Sequence, residues 1–241
     1  MLGTILFLAA TGSQPCDAGI ILRIEDQPAT CVQYASNAGV TVYGLEATEH
    51  SSNDDFPHRV FVHYGTSRVE ITSSLLDTGE SGYFIAIDAR VNRFTLGGVA
   101  LVDVAVMTLI SGTGHISSVT DLFFRVEGGK LYRTATLRDT DTYHRGGWSF
   151  ARQVTSELLV DREGLVWVKR NRTARGTNPD RPLTVHCRVS YAAYHLRDGL
   201  LERIGDVDAA EVRRRRATLR PIPRLENRSI LPCCAGCPFG N

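Results

Sequence analysis

Alternating and β-branched apolar runs, cut by turn residues at intervals of roughly 8–14 residues, dominate this chain from about residue 4 to residue 189. Few stretches between them keep a helical period, so the apolar surface must be buried by stacking antiparallel strands. The clearest unit is Arg59-Val60-Phe61-Val62-His63-Tyr64 joined through Gly65-Thr66 to Ser67-Arg68-Val69-Glu70-Ile71. Its alternation predicts a half-buried hairpin. Gly128-Gly129 predicts a second two-residue turn, between Phe124-Arg125-Val126-Glu127 and Lys130-Leu131-Tyr132. Asp161-Arg162-Glu163-Gly164 predicts a third, and the continuous apolar run Tyr83-Phe84-Ile85-Ala86-Ile87 suits a central strand. Residues 1–190 are therefore expected to form a mainly β body, an antiparallel sandwich or a barrel-like closure.

The pattern changes near Tyr191. Leu196, Leu200, Leu201 and Ile204 are compatible with helical spacing, and helix formers follow Asp206 up to Leu219. Residues 191–220 are expected to be a helical segment that ends at Pro221-Ile222-Pro223, with residues 221–241 an extended tail. Arg213-Arg214-Arg215-Arg216 falls on this helical segment. Four consecutive residues occupy every side of a helix, so part of the run must meet solvent or a partner.

Charge places limits on function. Lysine and arginine total 27 against 26 aspartates and glutamates, a net charge of +1 that gives no global field toward nucleic acid or an acidic membrane. Only two of the 27 basic residues are lysine, a bias expected of a GC-rich coding genome. The clusters are a separate matter. The run 213–216 with Arg220, and a second patch of Lys169, Arg170, Arg172 and Arg175 in an expected loop before Asn178-Pro179, make the last third locally basic. Nuclear import, contact with nucleic acid and a merely solvated face all fit such clusters.

No stretch reaches the ~20 apolar residues of a membrane-spanning helix. Residues 1–10 read as a buried strand, with a signal-like apolar segment as the alternative. Cys16, Cys31 and Cys187 sit in apolar surroundings, as reduced core cysteines often do. Cys233, Cys234 and Cys237 crowd the C-terminus; they are weak metal candidates because a closed zinc site needs a fourth ligand. His58 and His63 would point to opposite faces of one strand and make poor co-ligands. Asp139-Thr140-Asp141 resembles the start of a calcium loop but lacks the later ligands. Ser81 lacks the strand–turn–helix setting of a nucleophile elbow. Gly97-Gly98 and Gly112-Thr113-Gly114 read as turns between strands, and Trp148 and Trp167 as core aromatics. No catalytic residue and no cofactor is expected.

One resemblance rests on particular residues. His63-Tyr64-Gly65-Thr66-Ser67-Arg68-Val69, followed by Gly82-Tyr83-Phe84-Ile85-Ala86-Ile87-Asp88-Ala89-Arg90, resembles the small nuclear protein of alphaherpesviruses called the UL-four family. Arg125-Val126-Glu127 with Lys130-Leu131, and Leu165-Val166-Trp167-Val168, extend the likeness over roughly residues 60–182. The resemblance implies a viral protein of the infected-cell nucleus, with no catalytic residues to carry over. The expectation is a non-enzymatic viral accessory protein of the host nucleus that contacts viral or host proteins. A structural virion or phage β-protein is the first alternative. A secreted, disulfide-bonded glycoprotein, with Asn171 and Asn227 as sequon asparagines, is the second.

Overall fold

The computed structural model describes Cys16, residues 22–24, 27–47, 58–72, 85–110, 115–143, 150–175, 184–223 and residue 225. The expectations for residues 1–10, Ser81, Gly112-Thr113-Gly114, Trp148, Asn227 and the three C-terminal cysteines lie outside these residues.

Two antiparallel sheets account for the described chain. The first runs in sequence order through β1 (Leu22–Ile24), β2 (Gln27–Asn37), β3 (Val40–Ala47), β4 (His58–Tyr64) and β5 (Ser67–Ile71). The second runs through β6 (Ile85–Leu96), β7 (Val99–Ile110), β8 (His115–Glu127), β9 (Lys130–Tyr143), β10 (Phe150–Val160), β11 (Leu165–Arg175), β12 (Thr184–Arg197) and β13 (Leu200–Asp206). One short helix, α1 (Ala209–Arg215), and a short strand, β14 (Arg220–Ile222), follow. The sheets stack as a sandwich and do not close into a barrel.

The second sheet is divided by its own pairing. β9 and β10 share only the pairs Tyr143↔Ala151 and Thr142↔Arg152. Farther along, β10 pairs with β14 through Leu158↔Ile222 and Val160↔Arg220. Strands β10–β13 are thereby released to pack over β6–β9. Leu101, Phe123 and Leu137 of one half meet Leu158, Leu165, Tyr194 and Leu201 of the other in a common core. The opposite face of β6–β9 carries Val102, Val104, Val106, Leu122 and Phe124, which pack against Val40, Val42, Val60 and Val62 of the first sheet. Strands β7 and β8 are thus covered on both faces, which explains why Val99–Ile110 is almost continuously apolar.

Side chains close the gaps that the ladder leaves. Where β9 and β10 part, Asp139 of β9 accepts a hydrogen bond from the Ser156 hydroxyl of β10. The Lys169 ammonium of β11 stands 3.4 Å from the same carboxylate. Asn92 Nδ2 donates to Asp103 Oδ2 (3.0 Å) and to the Pro223 carbonyl (2.6 Å), tying the chain after β14 to β6 and β7.

The hairpin turns at Gly65-Thr66 and Gly128-Gly129 form as the sequence predicts. They also touch each other. A Cβ at Gly65, whose φ is +56°, would lie 2.8 Å from the Gly129 carbonyl oxygen, whereas one at Gly97 (φ +57°) would meet nothing within 4 Å. Both Gly→Ala variants bear the left-handed backbone cost of about 1–2 kcal/mol, and only Gly65→Ala adds a backbone collision between the two sheets. Urea unfolding should therefore place Gly65→Ala below Gly97→Ala in midpoint; equal midpoints would mean that the two turns do not touch.

Four expectations need correction. Residues 191–206 are not helical: they form the end of β12 and all of β13, with Leu196 opposite Leu201. Asp198-Gly199 turns the chain with φ of +49° and +80°, the hairpin geometry that an Asp-Gly pair favours over continued helix. Helix is confined to residues 209–215, and the expected tail begins as an ordered strand, β14. The run through Ile85-Ala86-Ile87 opens β6, which ends its sheet instead of lying centrally; farther along the strand Ala89 and Val91 pack on the first sheet, where Asn37 Nδ2 donates to the Val91 carbonyl at 3.0 Å. Finally, Cys16 and Cys31 are joined in a disulfide and Cys187 is also disulfide-bonded, so these three are not reduced core thiols.

Candidate docking groove

The arginine run occupies the second half of α1, and the fold treats its members differently. The Asp208 side chain caps the helix by accepting the Glu211 amide at 2.6 Å. That hydrogen bond, more than any other influence, holds the Asp208 carboxyl below its usual range. Val212 and Leu219 anchor the helix on Val166, Val168 and Tyr191, on the outer face of β11 and β12. Arg215 turns back toward the sheet and grips Asp161 in the β10–β11 turn, with Nη2 2.9 Å from each carboxylate oxygen and Nε 3.2 Å from Oδ2. Asp161 also accepts the amides of Glu163 (2.8 Å) and Gly164 (3.1 Å). Burial alone would raise the Asp161 pKa; the Arg215 hydrogen bonds and the two amides outweigh it and hold the carboxyl low. Arg215 is therefore a structural residue, with a side chain only 17% exposed.

Arg213, Arg214, Arg216 and Arg220 are exposed. Arg213 and Arg216, three positions apart, border a groove of about 400 Å³ between α1, β14 and the outer face of β10–β12. Its apolar lining is Leu159, Val168, Tyr191, Val212, Leu219 and Pro221, of which Val168, Tyr191, Val212 and Leu219 are themselves buried against one another. Arg170 and Glu157 complete the rim, joined by an ion pair at 3.2 Å. Three guanidinium groups and one carboxylate thus surround an apolar bed.

The second basic patch does not hold together. It lies on β11 rather than in a loop, so its members alternate between faces. Lys169 points into the body, toward Asp139 and over the Trp167 ring at 4.6 Å, while Arg170 points to the groove. Arg172 is half-buried, with its backbone opposite Cys187, and the Arg175 side chain lies outside the described residues. Among the described residues, the two arginine clusters of the sequence converge through Arg170, Arg213 and Arg216. Glu157 and the apolar bed were not singled out from sequence. Their signal was the odd–even alternation along β10 and β11, which becomes a surface only once α1 is set on it.

Other sequence candidates fall to structural roles. Asp139, read as the start of a calcium loop, is a strand residue held by Ser156 and Lys169. His58 and His63 both lie on β4. Among the described residues no group of three or more histidine, cysteine or acidic side chains is arranged to hold a metal ion, and no helix is long and apolar enough to cross a membrane. Comparison with known proteins finds no match: no family model fits the chain, and no curated protein or solved structure is significantly similar to it.

Proposed function

We propose that this is a non-enzymatic accessory protein that works by holding viral or host proteins at the groove under α1. The observation that carries this reading is the apolar bed rimmed by Arg170, Arg213 and Arg216. Protein interfaces combine an apolar centre with a polar rim, and arginine is among the residues that dominate their binding energy. The resemblance to the herpesvirus nuclear protein family supplies the setting, and exposed Arg213, Arg214 and Arg216 supply an import signal to match it. Tagged full-length protein and its Arg213→Glu/Arg216→Glu variant, each captured from the native host cell, test the contact reading. Wild type should retain a set of partners that the variant loses; identical sets would remove the groove from the function. In the same cells, Arg213→Ala/Arg214→Ala/Arg216→Ala should spread through the cytoplasm if these residues carry the import signal.

One observation favours the secreted, disulfide-bonded reading instead. The Cys16–Cys31 bridge spans 5.5 Å between Cα atoms, and Cys187 is bonded as well. Nuclear and cytosolic thiols are kept reduced. Alkylation of the native cellular protein without reductant, read by peptide mass spectrometry, separates the two. Maturation in an oxidising compartment leaves Cys16, Cys31 and Cys187 protected, whereas nuclear residence leaves all three alkylated.

A further inference from the structure

We propose that the Cys16–Cys31 disulfide is a redox latch on the first sheet. Closed, it holds the chain at Cys16 over the outer face of that sheet; opened by a thiol reductant, it uncovers an apolar patch centred on Tyr43 and Leu45. The latch stands apart from the groove under α1 and does not depend on it.

The first sheet is apolar on both faces. Val40, Val42, Val60 and Val62 point toward the second sheet, so Tyr43, Leu45 and Phe61, at the alternate positions of β3 and β4, point away from it. The outward face of a two-sheet packing ordinarily meets water, yet Tyr43 and Phe61 are each 3% exposed and Leu45 6%. Two different covers account for this. The Tyr43 and Phe61 rings stack with centroids 5.3 Å apart, and the guanidinium carbons of Arg59 and Arg68 stand 5.3 and 5.2 Å from the Phe61 centroid. Glu70 braces Arg59, accepting from its Nε at 2.7 Å. At the other end Cys31 lies directly opposite Leu45 across the β2–β3 ladder, and Cys16, bonded to Cys31, packs on the same cluster. Arginines therefore shield the Phe61 end, and the disulfide shields the Leu45 end.

Little else fastens Cys16. Among the described residues only β1 lies between Cys16 and β2, and it pairs with β2 at three positions, Leu22↔Ala29, Arg23↔Pro28 and Ile24↔Gln27. Pro28 has no amide hydrogen to give to that ladder. Both cysteines are half-buried instead of sealed in a core, which leaves a path for a small thiol. The opening step is thiol–disulfide exchange with glutathione. One glutathione thiolate attacks a sulfur of the bridge, forming a mixed disulfide and releasing the other cysteine as a thiolate that takes up a proton. A second glutathione thiolate displaces the remaining cysteine, leaving two protein thiols and one oxidised glutathione. Oxidised glutathione drives the reverse reaction. A thiol-reducing compartment thus holds the latch open and an oxidising one holds it closed.

Hydroxyl-radical footprinting of the full-length chain, read by peptide mass spectrometry, tests the latch residue by residue. In the oxidised chain Tyr43 and Leu45 should react as slowly as the buried Phe123. In a glutathione buffer of cytosolic composition both should react several-fold faster, while Phe123 keeps its protection. Cys16→Ser/Cys31→Ser without reductant, with the Cys187 bond intact, should show the same increase. Oxidised glutathione should restore slow labelling to wild type and not to this variant. The proposal is overturned if Tyr43 and Leu45 stay protected once alkylation shows both cysteines reduced, or if glutathione leaves the bridge unreduced. An equal rise at Phe123 would mean general unfolding and would overturn it too. An increase in reduced wild type that the double variant lacks would assign the effect to the Cys187 bond instead.

Discussion

Arg215→Ala is expected to lower stability by about 2–3 kcal/mol, somewhat under the full cost of breaking a buried ion pair because its side chain keeps 17% exposure. For a chain of this size that is a fall in melting temperature of about 4–12 °C. The variant leaves Asp161, whose side chain is 3% exposed, without its guanidinium partner, and it frees the last turn of α1 from the β10–β11 turn. Arg214→Ala, one residue away but exposed, should stay within about 0.5 kcal/mol of wild type. Calorimetry of the two variants side by side reads the difference. Equal melting temperatures would mean that the arginine run is a uniform solvated face after all.

Acid sharpens this comparison. Asp161 ionises at lower pH in the folded chain than its unfolded value of 3.8, so its contribution is complete above that pH and disappears as pH falls through the folded pKa. The gap between wild type and Arg215→Ala should therefore narrow below about pH 4. Asp139 acts in the opposite sense. Burial, only partly offset by Ser156 and Lys169, raises its pKa above 3.8, so the folded chain holds this proton where the unfolded chain has released it. Its contribution declines as pH rises from 3.8 through the folded value. Asp139→Asn should remove that decline from the pH–stability profile, and an unchanged profile would place the group elsewhere.

Phe123→Ala should be the most damaging core substitution, at about 3–5 kcal/mol. Phe123 is completely buried on β8 and faces the folded-over half of the second sheet, where the Phe94 ring meets it edge-on with centroids 6.2 Å apart. The cavity would open between the two halves of the sheet, where β9 and β10 share little backbone pairing to hold the layers together. A drop in denaturation midpoint of that size, against a small change for the exposed Tyr132→Ala, would support the three-layer packing. A mild effect would indicate that β10–β13 do not rest on β6–β9.

Parts of this architecture are written locally and parts are not. The turns at Gly65-Thr66, Gly128-Gly129 and Asp161-Arg162-Glu163-Gly164 are legible because a few residues decide them: glycine adopts positive φ at low cost, and an aspartate side chain can cap its own turn. The hairpin at Asp198-Gly199 carries the same kind of signal, yet Leu196, Leu200, Leu201 and Ile204 also satisfy a helical period. Strand pairing settles the conflict: Leu201 is buried, and Leu200 and Ile204 are left 49% and 59% exposed. A helix would have gathered them on one apolar face.

The candidate site follows the same division. The arginine clusters were visible in the chain, but adjacency in sequence does not decide which cations share a surface. Alternation along β11 sends Lys169 inward and Arg170 outward, and the helical turn of α1 sends Arg215 to Asp161 while Arg213 and Arg216 face the groove. Sequence by itself determined the mainly β, antiparallel class, because alternation and turn chemistry are properties of neighbouring residues. The tertiary structure alone decided the folding-over of the second sheet and the meeting of Arg170 with Arg213 and Arg216. Those depend on pairing and packing between segments twenty or more residues apart, where no local preference reaches.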